Sequence, residues 1–200
     1  MMEEAKSEDR RTRRTRQAIQ QAFVELVLES GYESVTVLNI AERADYNRGT
    51  FYRHYIGKEE LLAELKQKFL EGFTRGLLTP YEGMDQVGAN AIYPSSLLIF
   101  SHIGERKQLF QALLAADRSF SLELFDALRN SMRKDMHIEM EQTNPPIDYE
   151  ILLSYQLSAT VGVIMHWAET GFKYSAEYMA EQLMLLINGK MNAVVFTRQA

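Results

Sequence analysis

Arg48, Gly49, Thr50, Tyr52, Arg53, His54 and Lys58 lie close together in the chain and carry the groups that grip a polyanion. Guanidinium, hydroxyl, phenol, imidazole and ammonium donors can all bond phosphate oxygens or base edges. Asn47 precedes them and can cap a short helix. If Phe51 and Tyr55, at i and i+4, turn into a core, then Arg48, Gly49, Tyr52 and Arg53 turn outward. A short helix presented in this way fits the major groove of duplex DNA. Arg48 at its tip suits a bidentate bond to guanine O6 and N7, and Gly49 lets the groove floor come close. Thr36, Thr50, Tyr52, His54 and Lys58 then supply donors to phosphates, which position the head without reading sequence. Upstream, Arg10, Arg11, Arg13, Arg14 and Arg16 read either as a solvated, frayed terminus or as an arm for the minor groove or the phosphates.

Other chemistries lack their residues. The sequence has no cysteine, which removes disulfides, thiol nucleophiles and zinc ribbons and fits a reducing compartment such as the cytoplasm. No glycine-rich phosphate loop and no G-x-S-x-G elbow occurs. His102 with Glu105 and His166 with Glu169 stand at i, i+3, a spacing that ordinary polar helices produce often, so neither a metal nor a cofactor is expected. An enzyme is not expected either, because no paired acid, base or nucleophile assembles. Met1 to Arg16 carries no apolar core of a secretory signal. The apolar run Ile151 to Ala168 is broken by Ser154, Gln156, Ser158, Thr160 and His166, and reads as a buried helix with no membrane partner.

The positioning elements are all helical. Ile19, Ala22, Phe23, Leu26 and Val27 form the stripe of an amphipathic helix from Thr12 to Ser30, stopped by Gly31. Thr36 caps a helix through Arg43 that buries Val37, Ile40, Ala41 and Ala44, and Asp45-Tyr46 is a tight turn. A connecting rod begins at Lys58, with Glu59 and Glu60 complementing its positive end, and runs to about Gly76. Further helices are expected near residues 91–102, 105–114, 117–140, 148–170 and 175–194, with breaks at Pro80 to Gly88 and at Asn144-Pro145-Pro146. No segment shows the alternation of a strand, so the fold class is all-α.

Charge divides along the same line. The whole chain carries 22 Lys+Arg against 27 Asp+Glu, but residues 10–58 hold nine bases and five acids, and residues 59–200 twelve bases and eighteen acids. A basic front end on an acidic body suits a DNA-reading head carried by a domain that does not touch DNA.

Thr36-Val37-Leu38-Asn39-Ile40-Ala41, then Asn47-Arg48-Gly49-Thr50-Phe51-Tyr52-Arg53-His54-Tyr55 and Gly57-Lys58-Glu59-Glu60-Leu61, resembles the DNA-binding head of TetR-family transcriptional regulators. The resemblance covers about residues 12 to 62. It implies nine or ten helices, with an operator-binding head at residues 1–57 and a ligand and dimerisation domain at 58–200. It also implies base contact by Arg48 and Gly49, base or phosphate contact by Tyr52, and phosphate contact by Thr36, Thr50, His54 and Lys58. Leu38 stands where many members carry a polar or basic residue, and could offer only an apolar contact to a thymine methyl. Asp45 replaces the usual turn glycine, and Tyr46 the small aliphatic after it.

The last two helices carry more apolar surface than one small domain needs. Leu152, Tyr155, Ser158, Ala159, Gly162 and Val163, with Tyr178, Leu183 and Leu186, are therefore expected at a homodimer interface of four helices. Two heads held together grip half-sites about one helical turn apart. Phe69, Phe73, Phe100, His102, Phe110, Phe120, Tyr155, Met165 and Trp167 are either core or the lining of a cavity for a small apolar effector. The sequence thus supports a homodimeric repressor released from a palindromic operator by an effector. The alternative is a DNA-binding adaptor or coactivator whose body holds a protein partner and no effector.

Overall fold

The computed structural model describes residues 2–84, 91–135 and 146–189, and no strand occurs among them. The helices are α1 (Met2–Ser30), α2 (Val37–Arg43), α3 (Arg48–Tyr52), α4 (Lys58–Leu78), α5 (Tyr93–Glu105), α6 (Lys107–Ala116), α7 (Phe120–Asp135), α8 (Tyr149–Glu169) and α9 (Ala176–Asn188), with single 3-10 turns at Tyr32–Ser34 and Thr79–Tyr81. The expected ends of the seventh helix and of the last one fall partly outside the described residues, as do Asn144 and Pro145.

Two compact units divide the chain. The first comprises residues 1–72 and 106–127, so it holds α1 to α3, most of α4, all of α6 and the start of α7. The second comprises residues 73–105 and 128–200. The expected boundary at Lys58 falls inside the first unit, because α4 and α6 pack with the head.

In the first unit the α1 stripe is as periodicity requires: Ile19, Ala22, Phe23 and Val27 are buried, joined by Val24, while Leu26 is only half-buried. Phe51 and Tyr55 complete this core. Polar ties then fix the angles between helices. Arg16 on α1 pairs with Glu64 on α4 and lies over the Tyr55 ring, 4.7 Å from its centroid. Gln20 donates to both the Tyr55 hydroxyl and Glu64 Oε1 at 3.0 Å. Lys66 on α4 pairs with Asp117 at 2.7 Å and with Glu123 on α7. The Lys66 ammonium, and then Ser119, hold the Asp117 carboxyl at about 2. Around this point Phe69 stacks on Phe110 at 5.3 Å, and Phe120 meets both rings edge-on.

The second unit combines ring packing with polar ties, among them the Tyr81 hydroxyl on Ser95 at 3.0 Å and the buried Ser95 hydroxyl on Ile92 O at 2.9 Å. Trp167 packs edge-on against Phe100 at 5.5 Å and Phe172 at 4.9 Å, and its indole N–H donates to the Tyr174 carbonyl at 3.0 Å. A Cβ on Gly104 would stand 3.3 Å from the Trp167 ring, so α5 and α8 meet closely there because that position is glycine. Phe172 takes φ 56, in the left-handed region, and its N–H closes the α8 end by bonding Trp167 O at 2.9 Å. Ion pairs are peripheral: Glu150 meets Arg129 at 3.1 Å and also Arg133.

α8 is long and apolar enough to cross a membrane by length and composition, but seven of its residues, Leu152 to Ala168, are buried in the unit. The expectation of a buried helix is corrected in one respect. The opposite flank, with Ile151, Tyr155, Ser158, Ala159 and Gly162, is exposed.

Candidate nucleic-acid interface

The reading helix is built by its caps. Asn47, extended at φ −83 and ψ 160, accepts the Thr50 N–H at 2.8 Å through Oδ1 and so starts α3. The Thr36 hydroxyl accepts the Asn39 N–H at 3.2 Å, and Asn39 Oδ1 accepts the Thr36 N–H at 3.3 Å, a reciprocal cap at the start of α2. Between the helices Asp45 adopts φ 59, which a short polar side chain tolerates in place of glycine. The Tyr46 N–H then bonds Ala41 O at 2.9 Å and closes the turn. With Thr50 and Phe51 buried, the face of α3 opposite them presents Arg48, Gly49 and Tyr52, the last 52% exposed. A Cβ on Gly49 would stand 3.2 Å from the capping oxygen of Asn47, so glycine also protects the cap.

Arg13 and Arg14 are exposed on α1, Thr36 is exposed at its cap, and Leu38 is 43% exposed on α2. Four expected donors prove to be engaged inside the chain, the first being Thr36, whose hydroxyl donates to Asn39 Oδ1 at 2.6 Å. Thr50 is buried, its hydroxyl donating to Asn47 Oδ1 at 3.2 Å and accepting from Arg53 at 2.9 Å, so it supports the helix and does not face a ligand. Arg53 is exposed with one N–H spent in this way, which leaves its other donors for phosphate. Lys58 donates to the carbonyls of Tyr32 at 3.0 Å and Val35 at 2.9 Å, and sits over the Tyr32 ring at 4.3 Å. It caps the turn before α2, with one of three protons remaining. His54 is half-buried; burial first, then the charges of Arg16 and Arg53, hold its imidazole below the ordinary histidine value. It is therefore a neutral group that a nearby phosphate would protonate.

The residues expected either as core or as effector lining fall in both units. Phe69, Phe110 and Phe120 belong to the first unit and Phe73, Phe100, His102, Tyr155, Met165 and Trp167 to the second. Phe69, Phe73, Phe100, Phe110, Phe120 and Trp167 are all buried, and all but Phe73 share the ring contacts given above. Tyr155, at 69% exposure, faces outward and lines no enclosed space. The period that marks a wall of a cavity also marks packed core, and sequence cannot separate the two.

The expected dimer set divides as well. Leu152 and Leu183 are buried in the chain's own core at 8% and 5% exposure, and Val163 is half-buried. Tyr155, Ser158, Ala159, Gly162, Tyr178 and Leu186 are exposed on one side of α8 and α9. Ile151 and Leu185, exposed at 67% and 66%, extend the same apolar strip. Ile151 precedes Tyr155 by four residues, so helical spacing could have added it. Between the two helices lies a groove of about 400 Å³ lined by Ala159, His166, Tyr174, Tyr178, Gln182 and Leu186 among others.

Two short capped helices crossing a tight turn, the second with a guanidinium, a glycine and a phenol outward, define a helix-turn-helix DNA-binding protein. Comparison with known proteins agrees. Residues 19–65 match the family of bacterial regulatory proteins of the tetR type, and residues 90–189 match a transcriptional regulator C-terminal region. The chain belongs to the TetR family of transcriptional regulators. It is 42% identical over 67 residues to the HTH-type transcriptional regulator YxbF of Bacillus subtilis, a match spanning 33% of this chain and 18% of that protein. To the HTH-type transcriptional repressor KstR2 of Mycolicibacterium smegmatis it is 22% identical, over 87% of this chain and 89% of the other. The fold is that of the Bacillus subtilis regulator FadR in complex with stearoyl-CoA, with TM-score 0.57 and 18% identity over 88% and 99% of the two chains.

Proposed function

We propose that the protein is a homodimeric repressor in which each head reads one half of a palindromic operator and a small apolar effector releases it. The observation that carries DNA reading is the free Arg48, Gly49 and Tyr52 face on a helix whose caps are internally satisfied. Homodimerisation rests on the exposed strip of Ile151, Tyr155, Ala159, Gly162, Tyr178, Leu185 and Leu186, which a second copy would cover across a two-fold axis. The acidic balance beyond residue 58 suits a body held away from phosphates. Repression is favoured by the likeness to KstR2, a repressor along most of both chains.

An effector would have to open packed core in the second unit, around Phe73, Phe100, His102, Met165 and Trp167, by binding the opened conformation more tightly than the closed one. The stearoyl-CoA complex of FadR supports an apolar ligand. Selection of duplexes from a random library tests the reading as a whole. A palindrome is expected. Against it Arg48→Ala should lose about 1–3 kcal/mol of discrimination at one guanine in each half-site. Equal binding of selected and random duplexes by the unaltered protein would refute it.

A further inference from the structure

The hydrogen bonds inside the head settle which side chains are free to read a base. The commonest adenine contact is an asparagine or glutamine amide that accepts from N6 and donates to N7 at once, so its carbonyl oxygen must be available. Neither asparagine of α2 or the α3 cap meets that condition. Asn39 Oδ1 accepts from the Thr36 N–H at 3.3 Å and the Thr36 hydroxyl at 2.6 Å. Asn47 Oδ1 accepts from the Thr50 N–H at 2.8 Å and the Thr50 hydroxyl at 3.2 Å. A carbonyl oxygen has two lone pairs, and in both residues both are taken. Arg43 is spent on Glu29 at 2.7 Å and Glu25 at 3.4 Å, back toward α1.

Leu38 and the acidic Glu42 are the side chains this leaves exposed on α2, and a carboxylate is repelled by the phosphates on either side of the groove. Ile40 and Ala41 turn into the core and Arg43 turns to α1, while Leu38 lies about 140° around the helix from Arg43, on the flank away from α1. It is 43% exposed. An aliphatic side chain has only one attractive feature to meet in the major groove, the 5-methyl group of thymine.

Resting on the proposed operator reading, we propose that the head reads bases through two groups of opposite character. The Arg48 guanidinium reads guanine, the Leu38 side chain reads a thymine methyl, and no adenine is read by the amide of Asn39 or Asn47. Leu38 is thus a specificity-determining residue, and its gain comes from excluding water between two apolar groups.

The test uses the full chain and a duplex taken from the library selection. Each thymine is replaced singly by deoxyuridine, which keeps base pairing and removes only the methyl. One thymine per half-site should lose about fourfold in affinity, and about fifteenfold when both half-sites are changed, as expected for one buried methyl each. Leu38→Ala, on an exposed helical position where alanine is well accepted, should bind the thymine duplex more weakly and show no further loss with uracil. Replacing each adenine by 7-deazaadenine, which lacks the N7 acceptor, should cost less than the sensitive uracil does. The inference is overturned if no thymine is sensitive, if Leu38→Ala keeps the same sensitivity, or if an adenine replacement costs as much as the uracil. These outcomes leave sequence-specific binding itself intact. Failure of the library to enrich any duplex would instead remove both readings.

Discussion

The two units solve the same packing problem by different means. In the first, helices are locked by charged and polar groups: Arg16 and Gln20 on Glu64, Lys58 on two carbonyls, Lys66 on Asp117 and Glu123. In the second, an indole is wedged between rings, with the buried hydroxyls of Ser95 and Ser96 bonded to Ile92 O and a part-exposed Arg129–Glu150 pair beside it. Polar ties fix angles and distances more sharply than apolar contact does, because a hydrogen bond fails steeply with geometry whereas apolar burial is non-directional. A head that must match the spacing of phosphates and base edges gains from the first kind. A body that is to yield to an effector gains from the second, where neighbouring packings differ by little energy.

That contrast can be broken by substitution. Trp167→Ala removes the wedge of the second unit and should cost about 3–5 kcal/mol in denaturant unfolding. If the cost is under about 1 kcal/mol, the second unit is not centred on packing around this ring. Glu64→Ala leaves Arg16 and Gln20 without their common acceptor, part-exposed at 33% for the Arg16 side chain, and should cost only about 1 kcal/mol. Its larger consequence should be in DNA affinity, because α1 and α4 no longer hold α3 at one angle; unchanged affinity would show that the tie positions nothing.

The smallest effect sharpens the role of His54. Its pKa lies below the ordinary value in the free protein, so the unfolded chain binds a proton more readily. His54 therefore contributes stability above its unfolded pKa that is lost as pH falls through the histidine range. Phosphate beside it reverses the preference, and DNA binding should take up part of a proton per head. Affinity should therefore rise as pH falls from about 7.5 to 6. His54→Gln should flatten the profile, and a profile that stays unchanged would place the imidazole away from phosphate.

Much of the head was legible in the sequence because its signals are local. Thr36 and Asn47 as caps, Phe51 and Tyr55 as inward residues and Asp45 at positive φ depend on neighbours within four positions, and each stands where spacing put it. What spacing misjudged was whether a donor is free. Thr50 and Lys58 have the right chemistry for phosphate, yet one is buried on its own cap and the other is shared between carbonyls, the farther 26 residues away in sequence. Sequence leaves the aromatic set open between core and cavity for a different reason. Phe69 and Phe100 share a residue type and a helical period but belong to different units.

The order of elements, their caps and the outward array of α3 follow from residue type at helical spacing, since a helix with one apolar stripe has only one way to face a core. That Leu152 is buried in the chain's own core while Ile151 is exposed, and that Lys58 is shared between two carbonyls while Arg48 is exposed, depended on which side chains the folded chain brings beside them. Helical periodicity sets the direction of a side chain, and only long-range contacts decide what occupies that direction.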